Sequence, residues 1–549
     1  MLLLGAVVLL LILLFRTVYH QRAKAFRPLP LVGHFTWFAA VSRQKSLEWL
    51  KRASDYHQGK SWKLELPLIG QAWVLEDPAC VKHVLSTRHD AFAKGELATS
   101  RLADLFENSI ILTNGNTWKV QRSAGHAAFA NPINLKYFVD RILPKHLDKL
   151  FGELDSAAET GGHKGKVVDL QEVAYDYAMS VFGELAYDSN FGKISSSFAG
   201  PFDRAAIQTH ERFFNPLYRI TEFILPSGAR LRKDIRDVKM FGDELVREGR
   251  DRLRREEEGL DSEDEDEKDK QGKGILLEEL VKERGRDDQV RFLADSCLNF
   301  LTAGRDTTAQ ALSWTIYLLL LNPKTKENVF NEVMASVQPR EAVESTSLAD
   351  LISSTSPTAY CPYANAVISE ALRLHPPVPL EIHENVTDEA IALPDGTAVY
   401  PGEKVVWGPW VMSRSTRIWG EDAEEYRPER WLAPAYWDPE AKGQPLPKDH
   451  AARKTAFEFP VFHAGPRSCL GKQLARIELV FALRELMLRF DFSPAWQGSV
   501  IYRTNAGSAC TKDAEDDEYT GTLREIGDGL TGPIKDGLPV RVRRRQKTQ

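Results

Sequence analysis

From Asp287 to Leu321 the chain carries one unbroken helical pattern of apolar residues. It stops at Asn322-Pro323, where the proline removes a backbone donor and disfavours helix in the residue before it. About 35 residues at ~1.5 Å each make a helix of roughly 50 Å. A helix that long crosses a whole domain, so the other elements must be arranged around it. Its middle reads TAGRDTTAQ, in which Ala303, Gly304, Thr307 and Thr308 fall at i, i+1, i+4 and i+5 and give one face small residues and hydroxyls. Such a face leaves room for a small molecule, although small residues also serve close helix packing. Thr307 can turn its hydroxyl to the carbonyl one turn earlier, loosening the helix, and Asp306 beside it can pass protons.

The rest of the chain, 549 residues with 43% apolar content, supports a sizeable core. A net charge of -6 and the lack of any nucleic-acid motif point away from nucleic acid as a partner. Cys80, Cys297, Cys361, Cys469 and Cys510 are odd in number and contain no C-x-x-C pair, which argues against a disulfide framework or a zinc site and for a reducing compartment. Met1 to Phe15 have neither charge nor polar side chain. Fifteen helical residues span about 22 Å, short of the ~30 Å of a bilayer, so a full crossing needs Thr17, Val18 and Tyr19, with Arg16 snorkelling. Arg16, Arg22, Lys24 and Arg27 follow and hold that flank in the cytosol, whereas a cleaved signal would carry its basic residues before the apolar run. Residues 1–19 are thus expected to form a membrane anchor, 20–34 a basic, proline-rich hinge, and 35–549 one large domain. Within that domain the charged run 255–274 is expected to be a solvated, disordered loop.

Residues 462–471 read FHAGPRSCLG and lead into a helical run. A cysteine just before a helix meets unpaired backbone N–H groups and the positive end of the helix dipole, which favour the thiolate. That suits a metal ligand or a nucleophile. His463 is the nearby base a nucleophile would want, but no oxyanion-hole signature accompanies it. A thiolate on haem iron fits better: Gly465 supplies an unusual turn, Gly471 lets the helix approach a flat macrocycle, Arg467 pairs with a propionate, and Phe462 shields the sulfur.

These residues resemble the haem-binding loop of the cytochrome P-450 family, Phe-x-x-Gly-x-Arg-x-Cys-x-Gly, at every fixed position. The resemblance implies a mainly α fold with smaller β regions, a triangular helix-rich prism with a long central helix over the haem, preceded here by the N-terminal membrane helix. Cys469 would then be the axial ligand of haem b, and AGRDT the oxygen-activation motif, with Asp306 and Thr307 managing protons. Trp118 and Arg122, in NTWKVQR, match the family's propionate-binding Trp-x-x-x-Arg. Glu370 and Arg373, with Arg430 from YRPERW, match its structural Glu-x-x-Arg and meander set. Where relatives often carry a propionate-binding arginine, VPLEIHEN places His383, either a weaker and pH-sensitive partner for the cofactor or a residue that does not contact haem at all.

What the resemblance implies is a monooxygenase drawing electrons from an NADPH-cytochrome P-450 reductase in the endoplasmic reticulum membrane, with cytochrome b5 as a second donor. Dioxygen and a hydrophobic substrate are its reactants. Lys119, Lys472 and Arg476 are candidates for the reductase's acidic docking surface. The AGRDTTAQ helix and YRPERW are similar to the fungal alkane and fatty-acid hydroxylases, which implies oxidation at or near the end of a long aliphatic chain. Ala303, Gly304, Leu380 and Glu381 would line the pocket. An unpaired Glu381 would repel a fatty-acid carboxylate, so a polyketide, terpenoid or other secondary metabolite stands as an equal alternative. A haem-binding sensor or carrier without turnover, and a membrane-tethered scaffold, are the readings of other classes; Asp306 and Thr307 speak against the first and the cysteine loop against the second.

Overall fold

The computed structural model describes residues 26, 34, 37, 45–66, 69–160, 166–188, 195–258, 274–284, 290–335, 361–436, 444–447, 450–495, 498–499, 501–503, 509–511, 520–521 and 524–545. The expected anchor at 1–19, nearly all of the hinge at 20–34 and most of the charged run lie outside these residues. Among the described residues, no helix is long and apolar enough to cross a membrane.

Helices carry most of the chain: α1 (Ser46–Tyr56), α2 (Gly95–Phe106), α3 (Gly115–Phe129), α4 (Leu170–Tyr187), α5 (Ser195–Glu211), α6 (Tyr218–Ile224), α7 (Pro226–Glu257), α8 (Val290–Leu321), α9 (Pro323–Ala335), α10 (Pro362–Leu374) and α11 (Lys472–Arg489). The expected long helix is α8, 32 residues, which ends two residues before the proline that opens α9. Most of its side chains are buried around its whole circumference, as befits a central element with neighbours on every side. Two of those neighbours approach closely because of glycine. A Cβ on Gly304 would stand 2.4 Å from the Phe182 ring of α4, and one on Gly242 of α7 would stand 2.6 Å from Leu298.

The β-like pieces form edges of this helical body. Strands β1 (Trp62–Leu66), β2 (Gly70–Leu75), β3 (Phe92–Ala93), β5 (Glu381–Asn385) and β6 (Lys404–Trp407) make one sheet in the order β1-β2-β6-β5-β3. Strands β1 and β2 are a hairpin, β2 and β6 run parallel, and His383 pairs in register with Val405. A second sheet joins β4 (Val167–Asp169), β7 (Phe490–Pro494) and β8 (Pro539–Arg544) in the order β4-β8-β7.

Glu370 and Arg373 on α10 are fully buried, and their carboxylate and guanidinium meet at 2.8 and 2.9 Å. Arg430 Nε donates to the same carboxylate at 2.9 Å, as do Trp431 Nε1 and the Arg427 backbone N–H. Arg373 also donates to the carbonyls of Ser413, Ala423 and Glu425. Burial alone would raise the Glu370 pKa, but Arg373 and Arg430 outweigh it and hold the carboxyl below its usual range. The buried charges are thus paired and saturated with hydrogen bonds, which ties the meander at 413–431 to α10.

Candidate haem-thiolate site

The loop at 462–471 is shaped by two glycines with different tasks. Gly465 has φ +67°, and a Cβ there would stand 2.0 Å from the Leu85 carbonyl oxygen, so both its conformation and its surroundings demand glycine. Gly471 precedes α11, and a Cβ on it would meet nothing within 4 Å, which leaves clear space beside the helix start. The Cys469 N–H donates to the Phe462 carbonyl at 2.8 Å, closing the loop. Phe462 is half-buried beneath it, with Lys472 Nζ 5.8 Å from its ring centre.

Cys469 is the one thiol among the described cysteines that reaches accessible space. Cys80 and Cys361 are buried, with thiols pushed up to about 11 and about 12. Cys297 is fully enclosed in α8, its thiol is raised well beyond the usual range by burial, and its carbonyl accepts from Tyr187 Oη. No flat cofactor could reach it without dismantling the core. At Cys469 the thiol pKa is also raised, because desolvation outweighs the Gly471 and Lys472 backbone N–H groups and the charges of Arg122 and Lys472. The expectation that the helix start favours the thiolate is therefore corrected: the donors are present, but desolvation outweighs them.

The opposite wall is α8. A Cβ on Gly125 of α3 would touch both Leu470, next to the cysteine, and Phe300, one turn before Ala303. The loop and α8 therefore come within a side chain's reach of one another. Ala303 is exposed in the middle of an otherwise buried helix, and Thr307 is half-buried, so a cleft opens here. Thr307 Oγ1 donates to the Ala303 carbonyl at 2.7 Å, yet α8 continues unbroken through this turn. Gly304 does not line the cleft; its Cβ direction is filled by Phe182, and it serves helix packing. Leu380 packs partly buried against the aromatic cluster of Trp37, Trp49 and Trp62.

Asp306 accepts from Arg305 at 2.8 Å, and Arg305 is held by Asp203 of α5 at 2.7 and 3.0 Å and by the Tyr175 ring at 4.4 Å. Burial lifts the Asp306 carboxyl to about 6 despite Arg305, which pulls it down. A carboxyl lifted towards neutrality can take up and release a proton, while Arg305 stays charged and fixes its position against Asp203.

Two guanidinium groups flank the loop, and their hydrogen bonds go to carbonyl, hydroxyl and amide oxygens, none to a carboxylate among the described residues. Arg122 donates to the Ser468 carbonyl at 2.5 Å; Arg467 donates to the Thr113 carbonyl at 2.9 Å and to Asn114 Oδ1 at 2.7 Å, with its guanidinium 4.8 Å from the Trp118 ring centre. Burial depresses both, and Arg122 further depresses Arg467. Neighbouring buried cations of this kind are stabilised by an anion, a role the propionates of haem would fit. His383 lies buried close by, 5.0 Å from Trp407 and 5.9 Å from His463, and its Nδ1 has no partner among the described residues. Burial and the charges of Lys94, His463 and Arg467 hold it neutral far below its usual pKa, which corrects the expected pH-sensitive role. His463 Nδ1 contacts the Ala464 carbonyl at 3.1 Å rather than serving the thiol as a base. The space beside Gly471, the accessible thiol and the two guanidinium groups without carboxylates together fit haem.

Sequence reasoning missed Lys94. Its Nζ lies 2.6 Å from the Glu381 carboxylate, which is thereby held below its usual range even though burial pushes the other way. The two residues are far apart in the chain, and no local pattern links them. Glu381 is therefore paired, and the objection it raised to an anionic or aliphatic substrate falls. Of the expected docking cations, Lys119 and Lys472 are exposed. Arg476 instead donates to Ser369 Oγ at 2.9 Å, with Nε buried, and is not a free surface charge.

A thiol facing a small-residue helix across a cleft, with cations for two carboxylates at its edge, defines a cysteine-ligated haem enzyme. The chain belongs to the cytochrome P450 family, whose description "Cytochrome P450" matches residues 24–513. It is a monooxygenase with thiolate-ligated haem that uses a redox partner, dioxygen and a hydrophobic substrate. It is similar to "Cytochrome P450 94A1" of Vicia sativa, 28% identical over 85% of this chain and 84% of the relative. "Cytochrome P450 86B1" of Arabidopsis thaliana is 27% identical, covering 88% and 84%. "Cytochrome P450 monooxygenase cyp1" of Mycosarcoma maydis is 27% identical, covering 85% and 69%.

Proposed function

We propose that Cys469 would ligate the haem iron, that Arg122, Arg467 and Trp118 would hold its propionates, and that the enzyme hydroxylates a long aliphatic chain at or near its end. The observation that carries the ligand assignment is the accessible Cys469 thiol, set across Gly125 from the cleft at Ala303. Bound there, thiolate-ligated haem supplies reductive activation of dioxygen and insertion of one oxygen atom into a C–H bond. The chain's own contribution is position and protons. Ala303 leaves room on the helix, Thr307 presents a hydroxyl held by its own helix, and Asp306, positioned by the permanently charged Arg305, supplies a carboxyl that takes up and releases a proton. Pairing of Glu381 by Lys94 removes the charge repulsion that stood against a fatty-acid carboxylate.

Electrons come from an NADPH-dependent reductase docking at the face that carries Lys119 and Lys472, with cytochrome b5 as a second donor. Membrane attachment at the endoplasmic reticulum is supported by α6 and its flanks. Leu217, Ile220, Phe223, Ile224 and Leu225 are all exposed there, Phe223 to 84%, and such a contiguous apolar patch fits lipid.

The reduced, carbon-monoxide-treated protein should show the strongly red-shifted Soret band of a cysteine-ligated haem. Cys469→Ala should lose that band and Cys297→Ala should keep it. Retention of the band by Cys469→Ala would refute the assignment.

A further inference from the structure

Arg467 is held from outside its own loop, by the Ile110 carbonyl at 3.3 Å, the Thr113 carbonyl at 2.9 Å and Asn114 Oδ1 at 2.7 Å. These acceptors belong to the connection between α2 and α3, which contains neither helix nor strand. Its own backbone bonds are short-range: Ser109 N–H donates to the Phe106 carbonyl, and the Leu112 and Thr113 N–H groups to the Ser109 carbonyl. Two side chains tie the connection to the central helix. Asn108 Nδ2 donates to Asp295 at 2.8 Å where it begins, and Gln121 of α3, 0% exposed, grips it at both ends. Gln121 Nε2 donates to the Asn108 carbonyl at 2.6 Å and to Ser296 Oγ of α8 at 2.7 Å, while Oε1 accepts from Thr113 Oγ1 at 2.6 Å. The Ser296 hydroxyl already donates to the Phe292 carbonyl at 2.8 Å, so it must accept from Gln121, and the amide has a single orientation.

We propose that Gln121 is a positioning residue for the cofactor: by clamping residues 108–114 to α8 it fixes the acceptors that hold Arg467 beside Arg122. This rests on the haem reading of the cysteine loop and deepens it. Two neighbouring guanidinium groups repel, and neither bonds a carboxylate among the described residues. Arg467 would therefore turn away from Arg122 if its three acceptors were free to move. Neutral acceptors hold a cation in one pose only when they are themselves locked in place, and the buried amide of Gln121 does the locking. Arg122 follows Gln121 in α3, and about 100° of helical rotation sends one side chain to α8 and the other to Ser468 of the cysteine loop. One turn of α3 thus serves both cations, Arg122 directly and Arg467 through the clamp.

The test follows transfer of haem from the haem-loaded full-length protein to excess apomyoglobin, beside amide hydrogen exchange at residues 109–114 of the same protein. Gln121→Leu, close in volume, should release haem at least about tenfold faster than the parent and speed exchange of the Leu112 and Thr113 amides by a similar factor. Its reduced, carbon-monoxide-treated form should keep the red-shifted Soret band, because Cys469 is untouched. Thr113→Val removes one bond of the clamp with less disturbance to the core and should release haem about threefold faster. Arg467→Gln supplies the decisive arm: it should speed release by itself, and in its background Gln121→Leu or Thr113→Val should add less than about twofold. A merely structural Gln121 would instead multiply the two effects. The proposal is overturned by such independence, by release from Gln121→Leu and Thr113→Val within about twofold of the parent, or by unaltered exchange at residues 109–114. Should Gln121→Leu take up no haem, Thr113→Val and its combination with Arg467→Gln decide the same question. Absence of the cysteine-ligated Soret band from the parent would instead refute the underlying haem reading.

Discussion

Glu478 sits on α11 beyond Cys469 with its carboxyl inside the core and Oε1 without a partner, and burial pushes its pKa up to about 8. Tyr177, whose phenol is likewise buried and whose Oη is unpartnered, feels its charge. An unfolded glutamate titrates near ~4.3, so between that pH and about 8 the folded protein holds a proton that the unfolded chain has released. Stability must therefore fall as pH rises through this window, by about 1.4 kcal/mol for each unit. Glu478→Gln should flatten the decline and be the more stable protein at pH 8. Urea midpoints measured from pH 5 to 8 check it, and parallel curves for parent and variant would show that Glu478 does not titrate there.

At the scale of elements, the two glycines flanking the cleft answer to different neighbours. Gly304 brings α8 against α4 with no room for a methyl, whereas Gly471 faces open space. Gly304→Ala should cost about 1–3 kcal/mol through overpacking against Phe182 while leaving substrate affinity unchanged. Gly471→Ala should leave the urea midpoint of the haem-free protein where it is and lower haem occupancy. Equal loss of stability in both variants would contradict this division. TAGRDTTAQ reveals that small residues gather on one turn of α8 but not which neighbour each one meets, because two residues one position apart point about 100° from one another and so reach different elements.

Across the whole molecule, α6 is both exposed and firmly anchored. Arg212 pairs bidentately with Asp104 of α2 and Glu222 of α6, and Tyr218 Oη donates to the Ser100 carbonyl. The apolar residues of α6 are therefore presented outward by a fixed frame. In protein trimmed to residues 35–549, Phe223→Asp combined with Ile224→Asp should weaken binding to phosphatidylcholine vesicles at least about tenfold without altering the haem spectrum. Co-sedimentation measures this, and unchanged partitioning would remove α6 from the membrane contact.

What the sequence by itself determined is the part whose meaning is local. The central helix and its proline stop, the FHAGPRSCLG loop and the Glu370–Arg373 spacing can each be read in place, because helical period, turn chemistry and short-range ligand geometry act over a few residues. The tertiary structure decided everything that depends on who meets whom. It paired Glu381 with Lys94, tied Arg476 to Ser369, kept His383 neutral and left both amide atoms of Asn299 without a partner among the described residues. Charge state and hydrogen-bond satisfaction are set by desolvation and by partners distant in the chain, and neither quantity exists until the chain has folded.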